Sequence, residues 1–303
     1  TGYTGVGFSR ISVNPSLSII YKLNYAWRFT VHASYKERYG EMTDLYDRPY
    51  QTDYRNSVWN CGILPVYRQQ LYSVYGEYKN TAREFFATVN LTHNREWYNR
   101  IYEQRIENGQ VQRVSLPLSN HGSGYTVKST LSKGFYDLGL KTSFLALLNI
   151  SKAEQISGGQ RLPYQYRLMR LEPKVIWTPN RHWETSYQTD IRYGGSKIGE
   201  RTRLAPLWNV TQQVQLSYIF SPIEASLSVD HYHNDVNEDQ SVNAVFADFS
   251  VLWKSGRWQI TATATNLFDK RTYAYTRYAS LESYTSWVHI RPREFLVAIR
   301  YQL

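Results

Sequence analysis

One cysteine, Cys61, stands in 303 residues. Neither a disulfide framework nor a cysteine-bound metal cluster can therefore organise this chain. No stretch approaches the roughly 18 apolar residues of a membrane helix; the densest, Phe144 to Leu148, is far too short. Charge of one sign never builds into a run. The 35 basic and 25 acidic residues are interspersed and leave a net charge of +10, which argues against a disordered tail or a dedicated nucleic-acid arm. There is no phosphate-loop sequence, no HExxH and no GxSxG elbow. Nothing asks for catalysis, a cofactor or a resident metal, and the expected protein is not an enzyme.

What the chain has is aromatic side chains: 27 Tyr, 9 Trp and 11 Phe, 16% of the total. It also has period-2 alternation, segment after segment. Trp27, Phe29, Val31, Ala33 and Tyr35 share one parity against Arg28, Thr30, His32, Ser34 and Lys36. Val210, Val214, Leu216, Tyr218 and Phe220 oppose Asn209, Thr211, Gln213, Gln215 and Ser217. Ile223, Ala225, Leu227 and Val229 oppose Glu224, Ser226, Ser228 and Asp230, and the pattern runs to Phe295, Val297, Ile299 and Tyr301. Alternation hides a membrane face inside a low mean hydropathy, because lipid-facing and lumen-facing residues take turns.

A soluble sandwich alternates too, so segment and connection lengths must decide. The rows run about 10 residues or more, long for soluble strands and suited to a tilted membrane strand. Short turns are predicted at Asn24-Tyr25, Asn80-Thr81, Tyr136-Asp137, Asn180-Arg181, Ser221-Pro222 and Ser255-Gly256. Long polar loops are predicted between them, near 40–64, 98–123, 152–163, 195–206, 235–241 and 268–285. Short turns on one side and long loops on the other are the outer-membrane pattern. Trp27, Phe85, Phe135, Trp177, Trp183, Phe220, Trp253 and Trp258 fall beside the short turns and read as one interfacial girdle. The fold class is therefore all-β: a transmembrane antiparallel up-and-down β-barrel. Six short turns and a terminal run make 13 strands, an odd number where bacterial barrels are even. Residues 1–303 are accordingly expected to be part of one barrel domain, the C-terminal portion of a longer protein.

The final segment carries a resemblance. Asn266-Leu267-Phe268-Asp269-Lys270-Arg271, then a Tyr-rich loop, then Arg291-Pro292-Arg293-Glu294-Phe295 and the ending Ile299-Arg300-Tyr301-Gln302-Leu303 resemble the C-terminus of TonB-dependent outer-membrane receptors. That family usually ends in Phe where this chain has Leu303. The likeness is strong over about 243–303; upstream only the strand and loop grammar matches. It implies a plugged barrel of 22 strands, of which these would be the last 13, with a plug and the remaining strands preceding them. It implies the outer membrane of a Gram-negative bacterium, a periplasmic C-terminus, and uptake of a scarce bulky solute: a siderophore, haem, cobalamin, an oligosaccharide or a peptide. Its partners would be outer-membrane lipid, the TonB energy-coupling complex through the absent N-terminal part, the barrel-assembly machinery through the last strand, and the solute. Nucleic acid is not among them.

Candidate ligand contacts come from two loops. The first carries Tyr39, Tyr46, Arg48, Tyr50, Tyr54, Arg55 and Trp59. The late loop adds Tyr273, Tyr275, Arg277, Tyr278, Tyr284 and Trp287. Aromatic faces stack on rings and Arg binds carboxylates in bidentate fashion, although the same residues can simply pack the loops or mark the outer interface. His231 and His233 near Asp230 and Asp235 resemble a metal pair but share the lipid-facing parity. Inward Arg28, Lys36, Lys141, Lys174, Arg192 and Arg300 either attract anions or pair with inward Glu84, Glu172, Glu184, Asp190, Glu224 and Asp230. A self-contained outer-membrane channel, a soluble all-β glycan- or nucleic-acid-binding module, and an adhesin or scaffold barrel remain the competing readings.

Overall fold

Asparagine closes three of the short turns. The Asn24 side chain accepts the Ala26 and Trp27 N–H groups, both at 2.9 Å. Asn80 accepts Arg83 N–H at 3.0 Å, and Asn180 accepts those of His182 and Trp183 at 2.9 and 3.1 Å. A short polar side chain thereby satisfies the backbone where the strand ladder stops. All six predicted turns fall where the alternation placed them.

In the computed structural model, which describes residues 11–302 apart from 108–109, 200–201, 204 and 280–281, these turns join long strands. β1 (Ser16–Lys22) and β2 (Trp27–Tyr39) form the first hairpin. A connection carrying β3 (Tyr50–Gln51) and β4 (Asn56–Trp59) leads to β5 (Val66–Asn80), which turns into β6 (Phe85–Tyr98). The hairpin of β7 (Ile101–Glu107) and β8 (Gln110–Leu116) follows, and then β9 (Asn120–Phe135) turns into β10 (Leu140–Ser157). Next, β11 (Gln160–Asn180) turns into β12 (Trp183–Ile198). After β13 (Thr202–Arg203), β14 (Leu207–Phe220) turns into β15 (Ile223–Asp235). β16 (Ser241–Ser255) turns into β17 (Trp258–Thr265). The hairpin of β18 (Thr272–Ala279) and β19 (Glu282–His289) precedes the last strand, β20 (Glu294–Tyr301).

Among the described residues the wall is one antiparallel meander of thirteen strands in the order β1-β2-β5-β6-β9-β10-β11-β12-β14-β15-β16-β17-β20. Among the described residues the sheet is open. β1 and β20 each pair on one side only, and every residue of both is exposed. The two edges run in the same direction, so they could not close on each other antiparallel.

Register makes the two faces chemically distinct. Ile19, Val31, Val74, Leu91, Val127, Leu148 and Met169 lie directly opposite one another across seven successive strands. One residue along, on the other face, the row reads Thr30, Tyr75, Asn90, Lys128, Leu147, Arg170, Arg192 and Asn209. The apolar row is open to the surroundings: Val31, Val74, Leu91 and Leu148 are 42–49% exposed. We call this face outer and the polar one, which carries the larger cavities, inner. The aromatic girdle also forms. Trp27 lies 4.8 Å from Tyr78, Trp183 lies 4.6 Å from Tyr218, and Trp258 lies 4.8 Å from Tyr301, all beside short turns.

Three predicted loops are instead strands. Residues 152–163 continue β10 and β11 to a two-residue turn at Gly158-Gly159, whose φ values of 56° and 76° suit a primed hairpin turn that glycine enters without strain. β11 alone has 21 residues, about 70 Å of chain at 3.3 Å each, far more than a bilayer needs. The span 98–123 contains the β7–β8 hairpin, and 268–285 lies mostly within the β18–β19 hairpin, a separate two-stranded sheet. What these strands bury is mostly small or polar, Glu103, Ser115, Ala274 and Thr276 beside Ile101, Val114 and Ile156, so they show little apolar alternation and read as loops.

Candidate ligand-binding site

The first long connection, the β7–β8 hairpin and the tip of β10 knit together at the outer end of the sheet. β4 runs parallel to β8, Asn56 to Trp59 lying opposite Val111 to Val114. β7 runs parallel to β10, Glu103 lying opposite Ile156. Beneath this small sheet lies a cavity of about 760 Å³, which opens on Tyr67, Tyr98, Arg100, Tyr102, Arg113 and Tyr164.

Arg100 is the pivot, 6% exposed. Its Nη1 pairs with Asp44 Oδ1 at 2.9 Å, and its Nη2 donates to the Tyr67 hydroxyl at 2.5 Å. Its Nε is buried with no hydrogen-bond partner. The guanidinium carbon lies 5.0 Å from the Tyr102 ring centre and 5.7 Å from that of Tyr67. Burial works against this charge, but the Asp44 bond and the facing tyrosines hold Arg100 above its usual value. Asp44 is presented by the 3₁₀ turn Met42–Leu45. On the other side of Tyr102 sits Arg113, its guanidinium 3.6 Å from the ring centre. Arg113 is exposed and, among the described residues, has no carboxylate within ion-pair reach. Tyr67 and Tyr98 meet edge to face at 5.3 Å, and the Tyr98 hydroxyl donates to Glu96. Burial pushes the Tyr102 phenol up to about 12, even against the two arginines. This is a ring-lined hollow with one cation buried and engaged and a second one open. It suits an anionic solute with a planar or ring face.

Tyr67 and Tyr98 also border a neighbouring hollow of about 520 Å³, where Tyr39, Lys36, Arg38 and Arg68 lie. A third, of about 450 Å³, sits under β18 on the inner face. There Asp190 receives Arg170 through two bonds of 3.0 Å and Arg192 at 2.6 Å, while Arg170 also pairs with Glu172. Most of the inward charge here is thus spent on neighbours. Asn234 donates to Ala274 O at 3.1 Å, and Tyr232 meets Tyr273 at 5.2 Å, seating the hairpin.

Of the thirteen loop residues singled out from sequence, Tyr39 lines the second hollow and Tyr273 and Tyr275 the third, while Trp287 is exposed. The others in the first loop are exposed, and most contact one another or their own loop. Tyr46 meets Tyr50 at 6.0 Å, Arg55 lies 5.3 Å from the Tyr54 ring, Trp59 Nε1 donates to Asp47 O at 2.8 Å, and Arg48 is exposed. Arg277 and Tyr284 stand opposite each other in the hairpin register, and their side chains lie outside the described set, as do those of Tyr278 and of Leu303. Sequence reasoning missed Tyr67, Tyr98, Arg100, Tyr102, Arg113 and Tyr164. The available signal was Tyr98, Arg100 and Tyr102 at spacing two, one parity within a polar stretch. His231 and His233 bond to Gln212 and Asn243.

The resembling box at 266–271 acts as a clamp. Asn266, with φ of 51°, donates to Lys270 O at 2.8 Å and Arg291 O at 2.9 Å and accepts Lys270 N–H at 2.9 Å. Asp269 accepts Arg293 N–H at 2.9 Å. Both ends of the β18–β19 hairpin are thereby tied to the rim of the wall.

No family model matches the chain, and no curated protein does. Solved structures similar to it include FpvA of P. aeruginosa bound to heterologous pyoverdines, at 10% identity and TM-score 0.48, over 94% of this chain and 44% of that one. The ferric yersiniabactin uptake receptor FyuA from Yersinia pestis is similar at 9% identity and TM-score 0.44, over 96% and 50%. The Pseudomonas putida toluene transporter TodX is similar at 12% identity and TM-score 0.26, over 96% and 82%. The chain spans about half the length of the two receptors.

Proposed function

We propose that this chain is barrel wall from a TonB-dependent outer-membrane receptor, which takes up a bulky anionic solute and does no chemistry on it. The observation that carries the reading is the register: an exposed apolar row from Ile19 to Met169 backed by a polar row on the same strands. A sheet with an exposed apolar outer face and a polar, cavity-bearing inner face fits lipid outside and solute inside. The clamp at Asn266 to Arg271 supports the family. In this reading the two open edges are closed by nine further strands around a plug, the short turns and the C-terminus are periplasmic, and β20 is presented to the assembly machinery. The solute sits in the hollow of Arg100, Arg113 and Tyr102, and the energy-coupling complex engages the part preceding this chain.

The test is uptake by cells expressing the full protein, with labelled ferric siderophores, haem, cobalamin and oligosaccharides as the panel. One anionic solute should accumulate only when the energy-coupling complex is intact. Arg113→Ala should weaken its binding about tenfold or more, the worth of a charge-assisted hydrogen bond, whereas Tyr54→Ala should leave it unchanged. Uptake that ignores the coupling complex, or recovery of the protein in the soluble fraction, would sink the reading.

A further inference from the structure

Four cations stand on the outer face where a lipid-facing wall has no use for charge. Arg95 on β6, Lys152 on β10, Arg167 on β11 and Lys197 on β12 all share the parity of the apolar rows. Arg95 lies opposite Ser123, which lies opposite Lys152, which lies opposite Gln165, which lies opposite Lys197. At about 4.8 Å per strand, consecutive members of this Arg95, Lys152 and Lys197 row are about 10 Å apart. None of the four has an ion-pair partner among the described residues. The nearby Glu154 is taken by Arg161 at 3.0 Å. Lys152 and Lys197 border an outward hollow of about 290 Å³ with His121, Ser123, Gln165 and this Arg161-paired Glu154.

Their height is telling. From the girdle residue Trp177 to Arg167 is ten residues along β11, and from Phe85 to Arg95 is ten along β6. Ten residues make about 33 Å of strand, or about 25 Å of height at a tilt near 40°, which is the thickness of the apolar band of an outer-membrane barrel. Between those limits the outward residues of β11 are Val175, Pro173, Leu171 and Met169, with no charge among them. Arg95 and Arg167, one hydrocarbon thickness from the opposite girdle, sit at headgroup level, and Lys152, twelve residues from Leu140, and Lys197, fourteen from Trp183, sit about 5–10 Å above them, still among headgroups.

We propose that Arg95, Lys152, Arg167 and Lys197 form a binding site for the phosphate of a lipid headgroup in the leaflet on the long-connection side. The inference rests on the outer face meeting lipid. Lys and Arg at this level hold phosphate oxygens by charge-assisted bonds, and each contributes about fivefold to the affinity for an anionic lipid surface. The hollow between the two lysines receives the headgroup while the acyl chains lie along the apolar rows below.

The full protein, reconstituted in phosphatidylcholine vesicles with or without a phosphate-monoester lipid, tests this. Brominated lipid first reports insertion by quenching the girdle tryptophans, and retained phosphate lipid is then measured after detergent extraction. Wild type should retain the lipid, Lys152→Gln with Lys197→Gln should retain it about 25-fold less tightly, and Lys152→Arg with Lys197→Arg should keep it. Inorganic phosphate alone should not compete at equal concentration. Insertion with equal retention by the glutamine variant, or full competition by inorganic phosphate, overturns the site alone. Absence of quenching overturns the membrane reading with it.

Discussion

Leu91 and Thr92 are neighbours in β6 that face opposite ways, and arginine at each separates the two faces cleanly. Leu91 stands between Val74 and Val127 on the outer face, and Thr92 between Ser73 and Thr126 on the inner. Leu91 is six residues from Phe85 and four from Arg95, so it lies about 10 Å below the cation level once strand tilt is allowed for. Arginine on the lipid face costs about 2–4 kcal/mol at the midplane and falls to about 0–1 near the interface. At the depth of Leu91 the cost of Leu91→Arg is then about 2–3 kcal/mol, or about 30- to 150-fold in the folded population. Thr92→Arg puts the same charge in a polar, water-accessible row and should stay within about 0.5 kcal/mol of wild type. Urea unfolding of the full protein in lipid vesicles, followed by tryptophan fluorescence, measures both. Equal losses at the two positions, or a larger loss at Thr92, would refute the assignment of faces and the membrane reading that rests on it.

The clamp and the outer groups give two more expectations. Asn266→Ala removes three side-chain bonds, worth about 3 kcal/mol at about 1 kcal/mol each. Amide exchange in β18 and β19 should rise accordingly while β16 stays protected, and Asn266→Asp, which keeps only the acceptor, should fall between. The pH responses differ in sign. Arg293 N–H, then Arg271, hold the Asp269 carboxyl below its usual range. Its contribution is therefore complete above the unfolded value of about 4 and lost only as pH falls through the lower folded value. The Arg293 amide should stay protected at pH 4 and lose protection in stronger acid, a loss absent in Asp269→Asn. Tyr102, pushed up to about 12, favours the neutral phenol, so its contribution is complete below about pH 10 and fades toward 12. Ultraviolet titration of wild type against Tyr102→Phe shows this as one late-titrating tyrosine.

Much of the wall was legible because its causes are local. Asn24, Asn80 and Asn180 close turns through hydrogen bonds spanning two or three residues, and a strand declares its faces through its own parity. The Asn266 clamp was readable as a turn, though its bond to Arg291, across a whole hairpin, was not. The site was largely illegible. Arg100 meets Asp44 across 56 residues, and β4 finds β8 through a parallel pairing that no local pattern encodes. Tyr46, Tyr54 and Trp59 drew attention because their loop is rich in rings, yet they fold on one another. Tyr67 and Tyr98, dispersed at strand ends, converge.

The sequence by itself determined the alternating strands, the six turns and the girdle, since period-2 patterning and turn chemistry act between near neighbours. Only the tertiary structure decided which inner-face rings and cations meet, that the late loop is a hairpin seated on the inner face, and that four outward cations gather on neighbouring strands beyond the apolar band. Those follow from register between strands far apart in the chain, and register is a property of the whole sheet.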